Sequence, residues 1–100
     1  MKYQPHSATS YAAAVEILET ADTLRAKVYR FIRDAGHATD EQIQDGLTMN
    51  PSTQRPRRIE LLEAGIIRDS GRKAKTKSGR DAVVWELAER SVKRQGDLFS

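Results

Sequence analysis

The chain has 100 residues, of which 38% are hydrophobic and 31% charged; that is enough apolar content for one compact core and not for two. It has no cysteine, which excludes disulfides, thiolate metal sites and cysteine nucleophiles and fits a reducing, cytoplasmic setting. Seventeen Lys and Arg against fourteen Asp and Glu leave a formal net charge of +3, and no apolar run approaches the roughly 20 residues that cross a bilayer.

Residues 1–9 are polar and carry Pro5. They read as a loose arm, and with no apolar stretch behind them they do not read as a signal peptide. Tyr11 to Thr20 is rich in Ala, with Ala14, Ile17 and Leu18 at helical spacing. This predicts a short amphipathic helix capped by Thr9 or Ser10. Asp22 is placed to cap a second helix, in which Leu24, Val28, Phe31, Ile32 and Ala35 form one apolar stripe and Gly36 ends the run.

Thr39-Asp40-Glu41-Gln42 has the pattern of a capping box, and Asp40 and Glu41 suit the positive end of the helix dipole. That third helix is short, because Gly46 weakens it. Asn50 and Pro51 then suit the N-cap and first position of a fourth helix, which runs to about Ala64 and stops at Gly65. Pro56 removes one backbone donor within it, so either its early turn is irregular or the regular helix begins nearer Pro56.

After Gly65 the period changes. Ile66 to Asp69 and Ala82 to Leu87 read as strands, and Arg72 to Ser78 is a polar linker bracketed by Gly71 and Gly79. The expectation is an antiparallel hairpin with a long basic tip. The division is therefore an N-terminal arm and short helix over 1–21, an α+β domain over 22–87, and a flexible tail over 88–100.

Charge is unevenly spread along this order. Residues 54–80 hold nine bases and three acids, a local charge of +6, so the rest of the chain is −3. A basic block on an acidic background is the footprint of a polyanion binder. The plainer alternative is a solvated charged face.

Helix, helix, short helix, turn, helix, strand, basic loop, strand is the order of a winged helix. The segment Ser52-Thr53-Gln54-Arg55-Pro56-Arg57-Arg58-Ile59-Glu60-Leu61-Leu62-Glu63-Ala64-Gly65-Ile66-Ile67 resembles the recognition helix of winged helix-turn-helix proteins. Ala38 to Ile43 resembles the opening of the first helix of that motif, and the chain is similar to small phage-encoded members. The resemblance covers about residues 22–87. It implies a fold of helices followed by a two-stranded antiparallel wing. It also implies that the fourth helix enters the major groove of duplex DNA while the wing touches the backbone or minor groove.

On a helical wheel Ile59, Leu61 and Leu62 define the buried side of the fourth helix, and Thr53, Arg57 and Glu60 point away. Thr53 and Arg57 are then the side chains expected to reach bases or phosphates. Gln54 lies nearer the buried arc. Arg55 and Arg58 flank the core, and for Arg58 two readings stand: an internal salt bridge with its stem on the core, or phosphate binding. In the hairpin, Arg72, Lys73, Lys75, Lys77 and Arg80 are expected to neutralise phosphates, so that affinity falls with salt.

Trp85 can be read as a stacking platform for an unpaired base, but its strand spacing with Val83 and Leu87 favours the core. Tyr29 is expected to be packed or half-exposed. His6 and His37 have no second ligand at metal spacing, and no catalytic triad, carboxylate pair or phosphate-cradling glycine loop is present. The expectation is a protein without cofactor, metal or catalysis, acting in phage gene control or DNA replication inside a bacterial cell.

The tail suggests a second partner. Gln95-Gly96-Asp97-Leu98-Phe99 resembles the pentapeptide by which bacterial replication proteins dock on the sliding clamp, Gln, Leu, Ser or Asp, Leu, Phe, and four of its five positions match. The resemblance implies that Leu98 and Phe99 fill an apolar pocket, Gln95 hydrogen-bonds at its rim, and Asp97 occupies the acidic position. The alternatives are that Leu98 and Phe99 fold back on the domain or form a dimer contact. The Ala-rich first helix is the other place for a homodimer contact. The alternative function is thus a protein-interaction module engaging the clamp.

Overall fold

The computed structural model describes residues 8–88. Helix α1 spans Ala8–Thr20 and begins ahead of Thr9 and Ser10, so neither is its N-cap. Its inner face is Tyr11, Ala14, Val15 and Leu18, at helical spacing, packed on the core. Ile17, expected on that face, is exposed.

Helix α2, Leu24–Ala35, is capped by Thr23, whose Oγ1 accepts from the Ala26 N–H. Asp22 instead lies beside Lys27 at 3.7 Å. Gly36 closes the helix at φ 88°, a conformation that strains any residue with a Cβ. Ala26, Val28, Tyr29 and Ile32 are buried, whereas Leu24 and Ala35 of the expected stripe are exposed. Arg30 of α2 donates to the carbonyls of Leu18 and Ala21 at 2.7 and 3.0 Å. The Tyr29 hydroxyl donates to Glu19 at 2.7 Å. The Arg30 bonds satisfy carbonyls in the last turn of α1 and just after it, and with the Tyr29–Glu19 bond they fasten α1 to α2.

A two-residue strand β1, His37–Ala38, runs into helix α3, Asp40–Leu47. The capping box is formed as the sequence predicts: Thr39 Oγ1 accepts from the Gln42 N–H and Gln42 Oε1 accepts from the Thr39 N–H. Gly46 has a role beyond weakening the helix. A Cβ there would overlap the ring of Phe31, so the glycine lets α2 and α3 approach.

Helix α4, Pro51–Glu63, has Asn50 at its N-cap position and Pro51 at N1. The Asn50 side chain makes no cap hydrogen bond, and the helix is continuous through Pro56 rather than irregular. Gly65, at φ 77°, turns the chain out of it.

Strand β2, Ile67–Lys75, and strand β3, Asp81–Leu87, form the expected hairpin, but the sheet is three-stranded and antiparallel, in the order β1-β3-β2. Ala38 pairs with Trp85 and His37 with Glu86. A strand of two residues is too short to show a period, so it is invisible to pattern reading. The hairpin tip is also shorter than expected, because Arg72 to Lys75 belong to β2. Asp69 pairs with Trp85 and Lys73 with Val83, so Ser70, Gly71 and Arg72 bulge opposite Val84. Gly71 is in this bulge at φ 87°, where a left-handed residue is needed. The tip closes with Thr76 N–H donating to the Arg80 carbonyl at 2.8 Å and Gly79 N–H to the Thr76 carbonyl at 2.9 Å.

Among the described residues the architecture is thus α+β, four helices and one small sheet. Its core is built from Val28, Ile32, Ile43, Leu61, Ile67 and Trp85 with their neighbours. Burying each of the larger side chains contributes roughly 1.5–3 kcal/mol. Among the described residues no helix is long and apolar enough to cross a membrane.

Candidate functional site

Which side of α4 faces outward decides which residues can meet a partner. Leu61 and Gln54 are fully buried, while Ile59 and Leu62 are 40% and 36% exposed. The buried arc therefore runs through Gln54, Arg58 and Leu61, at i, i+4 and i+7, and not through Ile59 and Leu62. The outward arc is Ser52, Arg55, Ile59 and Leu62. The wheel drawn on apolar residues alone is rotated because two polar side chains occupy the inner face.

Those two side chains are satisfied from α3. Arg58 Nε and Nη2 donate to Asp40 at 3.1 and 2.8 Å, a two-pronged pair. The Arg58 guanidinium lies 4.5 Å from the Trp85 ring centre. Gln54 Nε2 donates to the same carboxylate at 3.0 Å, and Gln54 Oε1 accepts from Gln44 at 2.8 Å. Gln44, Gln54, Asp40, Arg58 and Trp85 thus form one network joining α3, α4 and β3. Among the described residues no buried side-chain polar atom lacks a partner. Gln54, fully enclosed, is not on any contact surface. Arg58 takes the internal salt-bridge reading, with its side chain 16% exposed. Trp85 is core.

Thr53 and Arg57 are half-buried. Arg57 is held by Glu60 through two bonds of 3.0 and 2.9 Å, and Arg25 of α2 reaches the same carboxylate at 3.0 Å. The hydrogen bond from Arg57 is the largest influence on the Glu60 carboxyl; burial opposes it, and the charges of Arg57 and Arg25 add to it, so the carboxyl is held below its usual range. Arg57 is thus engaged on the flank shared with α2.

The hairpin cations divide in the same way. Lys75 pairs with Asp81 across the tip at 2.8 Å, and Arg68 with Glu86 at 2.7 Å. Lys77 reaches back to Asp45 of α3 at 2.8 Å, and its backbone N–H donates to Glu41 at 3.1 Å. The bond to Asp45 raises the Lys77 pKa. Of the nine bases in 54–80, five are matched with acids, and only Glu60 of those acids lies inside the stretch. Arg55, Arg72, Lys73 and Arg80 have no acidic partner among the described residues.

Arg55 of α4 and Arg80 of the hairpin both line a groove of about 360 Å³ where α3, α4 and the hairpin meet, with Trp85 also in its lining. Asp40 and Glu41 also line it; Asp40 is matched by Arg58 and Gln54, whereas Glu41 accepts the Lys77 backbone N–H and keeps its negative charge in the groove. The groove therefore offers two unmatched guanidinium groups, with the hydroxyls of Thr76 and Ser78 beside them. Such a set binds anions; guanidinium forks match phosphate oxygens in particular. His37 is exposed on β1. The sequence-nominated tail residues Gln95, Asp97, Leu98 and Phe99, and His6, lie outside the described residues.

No protein-family model and no curated protein matches this chain.

Sequence reasoning missed Asp40, Gln44 and Asp45 as determinants of the site. One signal was available for the first two: Gln54 and Arg58 share helical spacing with Leu61, and polar groups on a buried stripe require polar partners.

Proposed function

We propose that the chain is a non-catalytic, duplex-DNA-binding protein of winged helix-turn-helix type, related to small phage-encoded members and working in gene control or replication within the bacterial cytoplasm. The order α2, α3, turn, α4 and hairpin supports the reading, with α4 as recognition helix and the β2–β3 hairpin as wing; β1 widens the sheet without changing that order. The observation that carries the proposal is the unmatched cation set. Arg55 and Arg80 line one groove, and Arg72 and Lys73 are exposed on β2, while the other five bases of the block are paired with acids.

The experiment is a salt titration of binding to a short mixed-sequence duplex. Phosphate contacts release counterions, so log affinity should fall linearly with log salt, with a slope of roughly −0.9 per phosphate neutralised. Four contacts set a slope near −3 to −4 as the expectation. An absent or salt-independent signal rules the reading out.

A second reading has its own observation. Ile59 and Leu62 are apolar on the outward arc of α4, where a helix reading bases would be expected to carry polar groups. A protein-interaction module, with the sliding clamp as the partner suggested by Gln95 to Phe99, fits that face. Clamp retention that is lost on Leu98→Ala with Phe99→Ala, without duplex binding, is the result that would favour it.

A further inference from the structure

Lys77 is the one base of the hairpin turn that is tied to a different element. It is the second residue of the connection between β2 and β3, yet its ammonium and its backbone N–H both reach α3, to Asp45 and Glu41. The other matched lysine of the hairpin, Lys75, pairs within it. Two carboxylates one helical turn apart on α3 thus grip the side chain and the main chain of a single residue.

The grip is on the surface. The Lys77 and Asp45 side chains are 74% and 54% exposed, so water and salt screen their attraction. A contact of this kind holds an orientation without locking it. Phosphate groups on a polyanion carry the same charge as Asp45 and arrive as a closely spaced array, so they compete effectively for the same ammonium.

We propose that Glu41 and Asp45 form an autoinhibitory latch on the hairpin tip, masking Lys77 until backbone phosphate displaces the carboxylates and releases the tip toward the nucleic acid. The proposal rests on the duplex-binding reading and adds regulation to it. In the latched state the cation set is Arg55, Arg72, Lys73 and Arg80; in the released state Lys77 joins it. The alternative role for the same contact is the opposite in sign: a brace that holds the tip in its binding position.

A double-mutant cycle on the full chain separates these. Affinity for a short mixed-sequence duplex at low salt is measured for the wild type, Asp45→Asn, Lys77→Met and the pair, with a thermal melt of each variant. Release of the latch predicts that Asp45→Asn tightens binding by roughly three- to tenfold. It predicts that Lys77→Met weakens binding, and that Asp45→Asn brings no gain once Lys77→Met is present. Glu41→Gln, which weakens the hold on the main chain, should also tighten binding, and it serves in place of Asp45→Asn if that variant melts early. Unchanged or weaker binding by both acid variants overturns the latch. So does an equal gain in both Lys77 backgrounds, which would report only the removal of a repelling charge. If neither the wild type nor any variant binds duplex, the DNA-binding reading fails and the latch with it. If the wild type binds and the cycle shows no coupling, the latch alone fails.

Discussion

Arg58 of α4 donates both prongs of its guanidinium to Asp40 at the start of α3 while stacked 4.5 Å from the ring centre of Trp85. The pair is largely shielded, at 16% and 21% side-chain exposure, and Asp40 also accepts from Gln54. Removing Asp40 strands a guanidinium and a buried amide together. Asp40→Ala is therefore expected to cost roughly 2–4 kcal/mol. Arg58→Met, which keeps an apolar stem against Trp85, should cost less. Urea denaturation of the two variants checks the order; a loss below about 1 kcal/mol for Asp40→Ala would mark the pair as an ordinary surface ion pair.

Gly46 and Phe31 make a second, apolar test. Helix propensity alone predicts that Gly46→Ala stabilises α3 by about 1 kcal/mol. The added Cβ, however, collides with Phe31 Cε2 and Cζ, and overpacking costs roughly 1–3 kcal/mol. Net destabilisation is expected. In a Phe31→Leu background the collision is relieved, so the same substitution should change sign and stabilise. Thermal melts of the four proteins decide it, and a stabilising Gly46→Ala beside intact Phe31 would contradict the packing described.

Glu60 carries a pH dependence. Its folded carboxyl titrates below its ordinary value of 4.5, chiefly because Arg57 hydrogen-bonds it. A depressed folded pKa contributes stability that is present above the unfolded pKa and is lost as pH falls through the folded one. Glu60→Gln should therefore flatten the loss of stability as pH falls through 4.5 and below, with little change in shape above it. The carboxylate side chain is 36% exposed, so added salt should shrink the difference. Chemical denaturation across that pH range, at low and high salt, is the measurement. An acid limb identical in the two proteins would contradict the assignment.

The binding surface gives the last prediction. Arg55→Ala and Arg80→Ala should each weaken duplex binding by roughly five- to tenfold and reduce the salt slope by about 1. Arg57→Ala, whose partner is Glu60, should alter affinity less than twofold, by the small effect of an engaged surface pair. Fluorescence anisotropy across salt concentrations resolves these. A large Arg57 effect with silent Arg55 and Arg80 would return the contact face to the one the helical wheel nominated.

Local signals in this chain were legible because the contacts that satisfy them lie within a few residues. Thr39 and Gln42 cap each other three residues apart, Gly36 and Gly65 take the positive φ that ends α2 and α4, and Pro51 starts α4 without needing an N–H. Helix α2 differs in its cap, Thr23 in place of Asp22, and at the two ends of its stripe, where Leu24 and Ala35 are exposed. Strand β1 escaped because two residues have no period, and its existence depends on the edge that β3 offers it.

The sequence by itself determined the order of the four helices and the β2–β3 hairpin and the basic block over 54–80, since each is a property of neighbours along the chain. Only the tertiary structure decided which bases of that block are available. Asp40, Asp45, Asp81 and Glu86 come from other parts of the chain to match Arg58, Lys77, Lys75 and Arg68. Charge counted along a segment adds its own acids and bases; charge on a surface is set by whatever folding brings within a few ångströms. That is why Arg58, which the sequence left open between two readings, is held by Asp40 inside the fold, and why Arg55, Arg72, Lys73 and Arg80 are the bases of the block without an acidic partner among the described residues.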